Sequence, residues 1–298
     1  MKSRLAFLTM KAMKLLPLGL LRNLGTFLGH CNWAINSRAK KTTLTNLKIC
    51  YPDLNPAEQR TLAKQSLCET AKALMEASKI WQSDWNWLNT QIVDVTNENL
   101  LTEKISKERG LIVITLHMGN WEVVGPYIAH KFAAHKFPLT ALYQTSKYAE
   151  IDNLILQARQ EKNIQMAPSN PHGIKKLLQA LRNKQAICIL PDQVPDRNTG
   201  RIISAFFNKP AWTMSLIHNL IKRTGCEVCY CYALRTEKGF HLHLADTNPD
   251  ISNEQLEISA AAMNADLENI VRQAPSQYQW EYKRFRQLPP EQWVSYDK

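Results

Sequence analysis

The segment Leu116-His117-Met118-Gly119-Asn120-Trp121-Glu122 combines the residue types that proton transfer needs. An imidazole accepts a proton near neutral pH, and a neighbouring carboxylate can fix its tautomer and stabilise its charged form. The short turn through Gly119 can bring the carboxylate of Glu122 back to the ring of His117. We therefore predict that His117 is a general base and that Glu122 orients it.

A histidine close to a glutamate is a weak signal by itself, because such pairs are frequent on surfaces and in cores. The context strengthens it. Residues 110–116 form a continuous apolar run, typical of a parallel strand buried on both faces, and a helix is predicted from about residue 121. Ligands of open α/β sheets collect where strands end, and the first turn of a helix favours a carboxylate.

Three further polar residues are candidates for substrate binding. Asp192 follows a second predicted strand and would reach the same crevice, although an aspartate after a proline also often caps a turn. Arg159 could hold a phosphate, and its polar neighbours equally fit a solvated helix face. Asn120 is the third, and the backbone N–H groups near Gly119 and Asn120 are candidate donors to an oxyanion.

The elements around these residues alternate between strand and helix. Short apolar runs predict strands over residues 110–116, 139–143, 186–190, 226–234 and 240–245. Helical spacing predicts helices over residues 57–88, from about 121, and over 149–162, 172–183, 213–223 and 254–273. This order indicates an α/β fold with a largely parallel central sheet flanked by helices.

The N-terminal segment has the composition that is least typical of a soluble protein. Its apolar residues are interrupted by Lys11, Lys14 and Arg22, so no uncharged run is long enough to span a bilayer, and no signal-peptide cleavage site follows. The pattern predicts an amphipathic helix at the membrane interface within residues 1–36, followed by a catalytic α/β domain over 37–298. A helix packed on the protein's own core is the alternative.

Charge and cysteine content narrow the function classes. Lysine and arginine total 37 against 26 acidic residues, a net charge of +11, which suits anionic lipid, a phosphorylated substrate, an acidic carrier protein or nucleic acid. Nucleic acid is disfavoured because no zinc-finger, basic-zipper or RNP-like signature is present. Cys226, Cys229 and Cys231 fit a buried strand better than a zinc site, which needs four convergent ligands.

Other common motifs are missing from the sequence. No Walker A or G-x-G-x-x-G motif occurs, so no nucleotide cofactor is expected, and no metal or other cofactor is expected either. No G-x-S-x-G elbow occurs, which disfavours a serine hydrolase of the α/β type.

Several ordered blocks resemble one enzyme family. Beside the His-x4-Glu pattern these are Arg38, Asn46-Leu47 and Tyr51-Pro52; Leu190-Pro191-Asp192-Gln193-Val194-Pro195, Phe206-Phe207, Pro210-Ala211 and Thr213-Met214; and Met263-Asn264, Glu268, Pro275, Gln277-Tyr278, Trp280, Tyr282 and Arg284-Phe285. Together they resemble the late acyltransferases of lipid A biosynthesis, the lauroyl and myristoyl transferases. These are related to glycerolphosphate acyltransferases, which use His-x4-Asp. The resemblance covers roughly residues 35–288.

The resemblance implies a reaction, its partners and its place. It implies direct acyl transfer from acyl carrier protein to a hydroxyl of a phosphorylated lipid A precursor, at the cytoplasmic face of the bacterial inner membrane. One departure affects the acceptor: Tyr143-Gln144-Thr145 stands where the family usually has Tyr-Arg-Pro. Lys147 or Arg159 could supply the missing charge.

Two other functions fit the same sequence. One is an acyltransferase of the same family that acts on another glycolipid or on a lipoamino acid, which the Gln144 departure allows. The other belongs to a different class: a non-catalytic basic module that binds membrane or nucleic acid.

Overall fold

The computed structural model describes residues 9–133, 138–143, 149–196 and 200–296. Its strands, numbered along the chain, are β1 Ile92–Thr96, β2 Leu111–Ile114, β3 Leu139–Tyr143, β4 Ile164–Pro168, β5 Ala186–Ile189, β6 Arg201–Phe206, β7 Lys209–Met214, β8 Glu227–Arg235 and β9 Phe240–Ala245. Within the described residues, seven of them form one sheet in the order β1-β9-β8-β2-β5-β3-β4, and β6 pairs with β7 in a separate hairpin.

Helices occupy most of the intervening chain. They are α1 Leu18–Ala34, α2 Arg38–Cys50, α3 Pro56–Gln82, α4 Trp85–Gln91, α5 Glu98–Ser106, α6 Val124–Ala133, α7 Ala149–Gln160, α8 Pro171–Arg182, α9 Leu216–Thr224 and α10 Leu256–Gln273. The long helix α3 begins with a capping box, in which Asn55 and Glu58 satisfy each other's backbone N–H groups.

The large sheet is mostly parallel, as predicted. The described pairs β1–β9, β8–β2, β2–β5, β5–β3 and β3–β4 are parallel, and β8–β9 is antiparallel. The buried apolar run of β2 divides between two cores: Ile112 and Ile114 pack with residues of α8 to α10, whereas Val113 packs with residues of α6. A strand covered by helices on both faces must be apolar throughout, which explains its sequence.

Helix α1 packs one side closely against α3. Leu21, Gly25 and Gly29 form its buried side. A Cβ atom added at Gly29 would lie 2.4 Å from the Cα of Cys68, so only glycine permits this approach of the two helices. The alternative that this segment packs on the protein's own body therefore holds for one side of the helix.

An adjacent side of α1 and its flanks expose apolar side chains to solvent. These residues are Leu15, Leu20, Leu24, Phe27, Leu28 and Ile35, and the exposed fraction is 62% for Phe27 and 83% for Leu15. Positions 20, 24, 27 and 28 follow helical spacing and form one stripe. Among the residues that the structure describes, no helix is both long and apolar enough to cross a membrane.

Candidate active site

His117 lies in a tight loop that follows β2. The backbone pairing continues one residue past the strand, where the N–H of Thr115 donates to the carbonyl of Ile189 at 3.0 Å. Gly119 then turns the chain with a φ of +58°, and a Cβ atom there would lie 2.0 Å from the carbonyl oxygen of Ala233. The glycine therefore allows the loop to press against β8.

Backbone hydrogen bonds hold this loop in place. The N–H of Gly119 donates to the carbonyl of Gln277, the N–H of Asn120 to that of Ala233, and the N–H of Gln279 to that of His117, each at 2.9 Å. Protein carbonyls therefore already occupy the N–H groups of Gly119 and Asn120, two of the candidate oxyanion donors.

The carboxylate that is hydrogen-bonded to the imidazole belongs to Asp192. Its Oδ1 lies 2.9 Å from Nδ1 of His117, and its Oδ2 accepts the backbone N–H of His117, also at 2.9 Å. Asp192 had been predicted to bind substrate. Its side chain is only 1% exposed, and it lies behind the imidazole.

The surroundings of Asp192 favour its ionised form. Burial acts to raise the pKa of this carboxyl, but the imidazole and backbone N–H of His117, with the more distant charge of Arg284, hold the pKa below its ordinary value. The hydroxyl of Tyr278 is a further hydrogen-bond partner. The ionised carboxylate of Asp192 accepts a hydrogen bond from Nδ1–H of His117. Nε2 of His117 therefore carries no proton and keeps its lone pair for a substrate.

Glu122 had been predicted to orient His117, but its carboxylate is engaged elsewhere. It accepts hydrogen bonds from Arg159 at 2.9 and 3.1 Å and from the indole N–H of Trp81 at 2.8 Å. Glu122 lies in a single 3₁₀ turn, Trp121–Val123, which precedes α6. The loop thus carries two acid–base groups with separate partners: Asp192 for His117 and Arg159 for Glu122.

Asn120 had been predicted to bind substrate, but its side chain is 1% exposed and faces inward. Its Nδ2 donates to Glu76 at 2.9 Å, and its Oδ1 accepts the backbone N–H of Glu122 at 3.3 Å. The residue therefore ties the start of the 3₁₀ turn to helix α3.

Glu76 is the centre of a buried ion cluster beneath the loop. Arg235 donates to both of its carboxylate oxygens, at 2.8 and 2.7 Å, and Arg22 of α1 donates at 2.6 Å. Arg235 also pairs with Glu69 at 2.5 Å and reaches the carbonyl of Gly119 at 3.3 Å. The cluster connects α1, α3 and β8 to the 117–122 loop.

A cavity of about 690 Å³ opens in front of His117. The side chains of His117, Glu122 and Arg159 line it, with Trp121 at its edge, where the two rings of Trp121 and His117 are 5.1 Å apart. The apolar part of the wall includes Ala141, Leu142, Ile155, Ile164, Ile174, Leu190, Val194, Met214 and Leu216. The volume and lining suit an elongated apolar ligand with a polar reacting group.

Arg159, predicted as a phosphate ligand, lies in the cavity wall. Its guanidinium lies 5.8 Å from the ring of Tyr143 and pairs with Glu122, so it does not belong to a freely solvated helix face. Gln144 and Lys147, which bear on the acceptor, lie outside the described residues.

Sequence reasoning missed several residues that position the site. Glu76 and Arg235 gave no signal, because they lie 159 positions apart and meet only in the fold. Trp81 is another such residue, because its indole N–H donates to Glu122. Tyr278, next to Asp192, belongs to the C-terminal block of the resemblance, which assigns it no individual role.

Three of the blocks that carry the family resemblance converge on this site. The 117–122 loop forms a bridge with Tyr278, and Gln193 of the central block donates to Gln279 of the C-terminal block at 3.1 Å. The model of the bacterial lipid A biosynthesis acyltransferase family matches residues 4–287. This chain belongs to the bacterial lipid A biosynthesis acyltransferase family.

Curated relatives agree with that assignment at low identity. The chain is 23% identical over 279 residues to the lipid A biosynthesis lauroyltransferase of Escherichia coli (strain K12), covering 92% of this chain and 88% of that one. It is 22% identical over 279 residues to the palmitoleoyltransferase of the same strain, covering 92% and 87%. It is 23% identical over 280 residues to the myristoyltransferase, covering 91% and 81%.

Membership of this family makes the protein an O-acyltransferase. The second class of function considered above, a non-catalytic basic module, is therefore set aside. The relatives transfer acyl groups of different length, so their names do not decide the acyl chain that this member uses.

Proposed function

We propose that this acyltransferase moves a fatty acyl group from acyl carrier protein to a hydroxyl of a phosphorylated lipid A precursor at the cytoplasmic face of the inner membrane. The observation that carries the proposal is the His117–Asp192 pair beside a cavity that combines polar groups with a long apolar wall. The family assignment and the net charge of +11 support an anionic donor protein and an anionic acceptor.

In the proposed mechanism, Nε2 of His117 removes the proton of the acceptor hydroxyl as its oxygen attacks the thioester carbonyl. Asp192 holds the Nδ1–H tautomer and stabilises the imidazolium that forms. The carbon–sulfur bond then breaks, and the departing thiolate takes the proton from His117. General-base assistance of this kind is worth about 10²–10⁴-fold in rate.

We assign Glu122 a different role from the one that the sequence suggested. Its pair with Arg159 holds a guanidinium at the cavity wall, 2.9 Å from the carboxylate. A cation so placed can bind a phosphate of the acceptor or of the carrier's prosthetic group, since guanidinium pairs strongly with phosphate oxygens. Arg159 is then a substrate-binding residue, and Glu122 positions it.

The test of the reaction uses full-length protein in detergent micelles, radiolabelled acyl–acyl carrier protein and a tetra-acylated lipid A precursor. Wild type is expected to transfer label, and His117→Ala is expected to be slower by about 10²–10⁴-fold because the general base is lost. His172→Ala, which changes an exposed histidine at the start of α8, is the matched control and should keep full activity.

Two results would count against this proposal. Transfer by folded wild type to another glycolipid or a lipoamino acid, but not to the lipid A precursor, would show that the acceptor is not a lipid A precursor. Full transfer by His117→Ala would remove the mechanism.

Membrane association is part of the proposal and rests on the exposed apolar side of α1. Leu20 and Phe27 are 51% and 62% exposed on this side, and such a surface is typical of helices that lie in the membrane interface. Leu15, 83% exposed, extends the surface next to Lys14, whose charge suits anionic headgroups.

Replacing Leu20 and Phe27 together by glutamine is expected to weaken vesicle binding at least tenfold, since each fully buried side chain of this size contributes about 1.5–3 kcal/mol. The measurement is cosedimentation with vesicles that contain phosphatidylglycerol. Trp293→Gln changes an exposed aromatic residue outside α1 and serves as control. Equal sedimentation of wild type and the double variant would exclude this side of α1 as the binding surface.

A further inference from the structure

The floor of the active-site cavity is a row of residues at the ends of three neighbouring strands. Cys188 of β5 pairs with Val113 of β2 and with Ala141 of β3. Two residues further along each chain segment stand Thr115, Leu190 and Tyr143, which all line the cavity. Since neighbouring strands are about 4.8 Å apart, Thr115 and Tyr143 flank Leu190 with roughly 10 Å between their backbones.

The two hydroxyl groups at the ends of this row are buried and unpaired. Neither Oγ1 of Thr115 nor the hydroxyl of Tyr143 has a hydrogen-bond partner within the part of the chain that the structure describes. Leaving a buried hydroxyl unsatisfied costs about 1–3 kcal/mol, so a ligand that pairs with such a group gains from the contact. Since both residues line the cavity, an atom of a bound ligand is a partner within their reach.

The two hydroxyls lie beside different groups of the site. Thr115 is two residues before His117, and both line the cavity. Tyr143 lies at the other end of the row, beneath the guanidinium of Arg159. A donor at the reacting carbonyl must be close to the general base, which selects Thr115.

The reaction requires such a donor, and the obvious backbone groups cannot supply it. Acyl transfer places negative charge on the carbonyl oxygen, and a hydrogen-bond donor fixed at that point is among the largest contributions to catalysis. The N–H groups of Gly119 and Asn120 donate to protein carbonyls, as described above. We propose that the hydroxyl of Thr115 is the oxyanion donor, an inference that rests on the acyl transfer proposed above.

The step balances with groups already named. The acceptor oxygen forms its bond to the carbonyl carbon while its proton passes to Nε2 of His117. The carbonyl π electrons move to the oxygen, where the Thr115 O–H donates a hydrogen bond without giving up its proton. When the double bond re-forms, the carbon–sulfur bond breaks and the thiolate takes the proton from His117.

Thr115→Val replaces the hydroxyl by a methyl group of nearly equal size. It is expected to lower kcat about 100-fold with little change in KM for the acyl donor, because one oxyanion donor is lost. Thr115→Ser keeps a hydroxyl and should recover most of the rate. Thr43→Val is the matched control: Thr43 is also buried with an unpaired hydroxyl but lies in α2, outside the cavity lining, and this change should leave kcat unaltered.

A second measurement does not depend on turnover. The infrared stretch of a ¹³C-labelled carbonyl in a bound ketone analogue of acyl-pantetheine should lie at lower frequency in wild type than in Thr115→Val, because a hydrogen bond weakens the C=O bond. Thr115→Ser should restore the lower frequency. No acceptor is needed, so this result tests Thr115 even if the acceptor assigned above is wrong.

Three outcomes would overturn the inference. Unchanged kcat in Thr115→Val, with His117→Ala inactive, would remove Thr115 from the mechanism while the proposed function stands. An identical carbonyl frequency in wild type and Thr115→Val would exclude the hydrogen bond. A 100-fold loss in Tyr143→Phe but not in Thr115→Val would place the donor at the other end of the row.

Discussion

Asp192→Asn is expected to lower the rate of acyl transfer by about 10³–10⁴-fold, the size of effect seen when the carboxylate of a histidine–aspartate pair is made neutral. The variant keeps the shape of the side chain. An amide in this position can present its NH₂ group to Nδ1, which favours the tautomer with the proton on Nε2. The nitrogen that faces the substrate would then carry a proton and could no longer accept one.

The same substitution separates Asp192 from Glu122 as the partner of His117. Asp192 lies 2.9 Å from Nδ1, whereas the hydrogen bonds of Glu122 go to Arg159 and Trp81. Glu122→Gln should therefore act mainly on substrate binding, through a less firmly held Arg159. We expect Glu122→Gln to raise KM and to lower kcat less than Asp192→Asn does.

Steady-state transfer with varied acyl donor, measured for wild type and both variants, checks this expectation. Thermal unfolding of each variant controls for damage to the fold, since Asp192 is 2% exposed. A larger loss of kcat in Glu122→Gln than in Asp192→Asn would reverse the assignment and return the orienting role to Glu122.

The fold was readable from sequence where periodicity is strong. The predicted strand over residues 139–143 coincides with β3, and the predicted strands over 226–234 and 240–245 correspond to β8 and β9 within a residue. Cys229 and Cys231 lie within β8, as the strand interpretation required. Continuous apolar runs identify strands buried on both faces, so these elements needed no knowledge of tertiary contacts.

Elements with weaker patterns were missed. β4 is buried at only some positions, and the β6–β7 hairpin carries polar residues and Pro210, so neither gives a clear alternation. The predicted helix over residues 57–88 is divided between α3 and α4, because Asp84 caps a new helix by accepting the N–H of Trp87. Local capping competes with periodicity and cannot be weighed from spacing alone.

The site shows the same division between local and tertiary information. His117 could be identified because it directly follows a buried strand. Its partner could not be identified, because Glu122 and Asp192 are 5 and 75 positions away in sequence and only the parallel pairing of β2 with β5 brings Asp192 to Nδ1. Sequence proximity favoured the wrong neighbour for the hydrogen bond.

The ion cluster beneath the loop leads to the largest expected effect on stability. Glu76 is fully buried, and its carboxylate balances Arg235 and Arg22 while it accepts the amide of Asn120. Burial acts to raise the pKa of Glu76, but its contacts with Arg235, Arg22 and Asn120 bring the pKa below its ordinary value. The carboxylate is therefore charged, and removing it leaves two arginines without their central partner.

Glu76→Ala is expected to lower the free energy of unfolding by about 3–5 kcal/mol, the penalty for breaking a buried ion pair from one side. Lys184→Ala is the control, because its pair with Glu108 is exposed and screened by solvent, so its loss should leave the melting temperature nearly unchanged. Thermal unfolding at neutral pH should show a clearly lower melting temperature for Glu76→Ala than for Lys184→Ala. The pKa of Glu76 is lower in the folded protein than in the unfolded chain, where it is near 4.5. The difference in stability between wild type and Glu76→Ala should therefore persist above this pH and shrink as the pH falls further. A melting temperature for Glu76→Ala equal to that of wild type would show that α1 and the catalytic loop do not depend on this cluster.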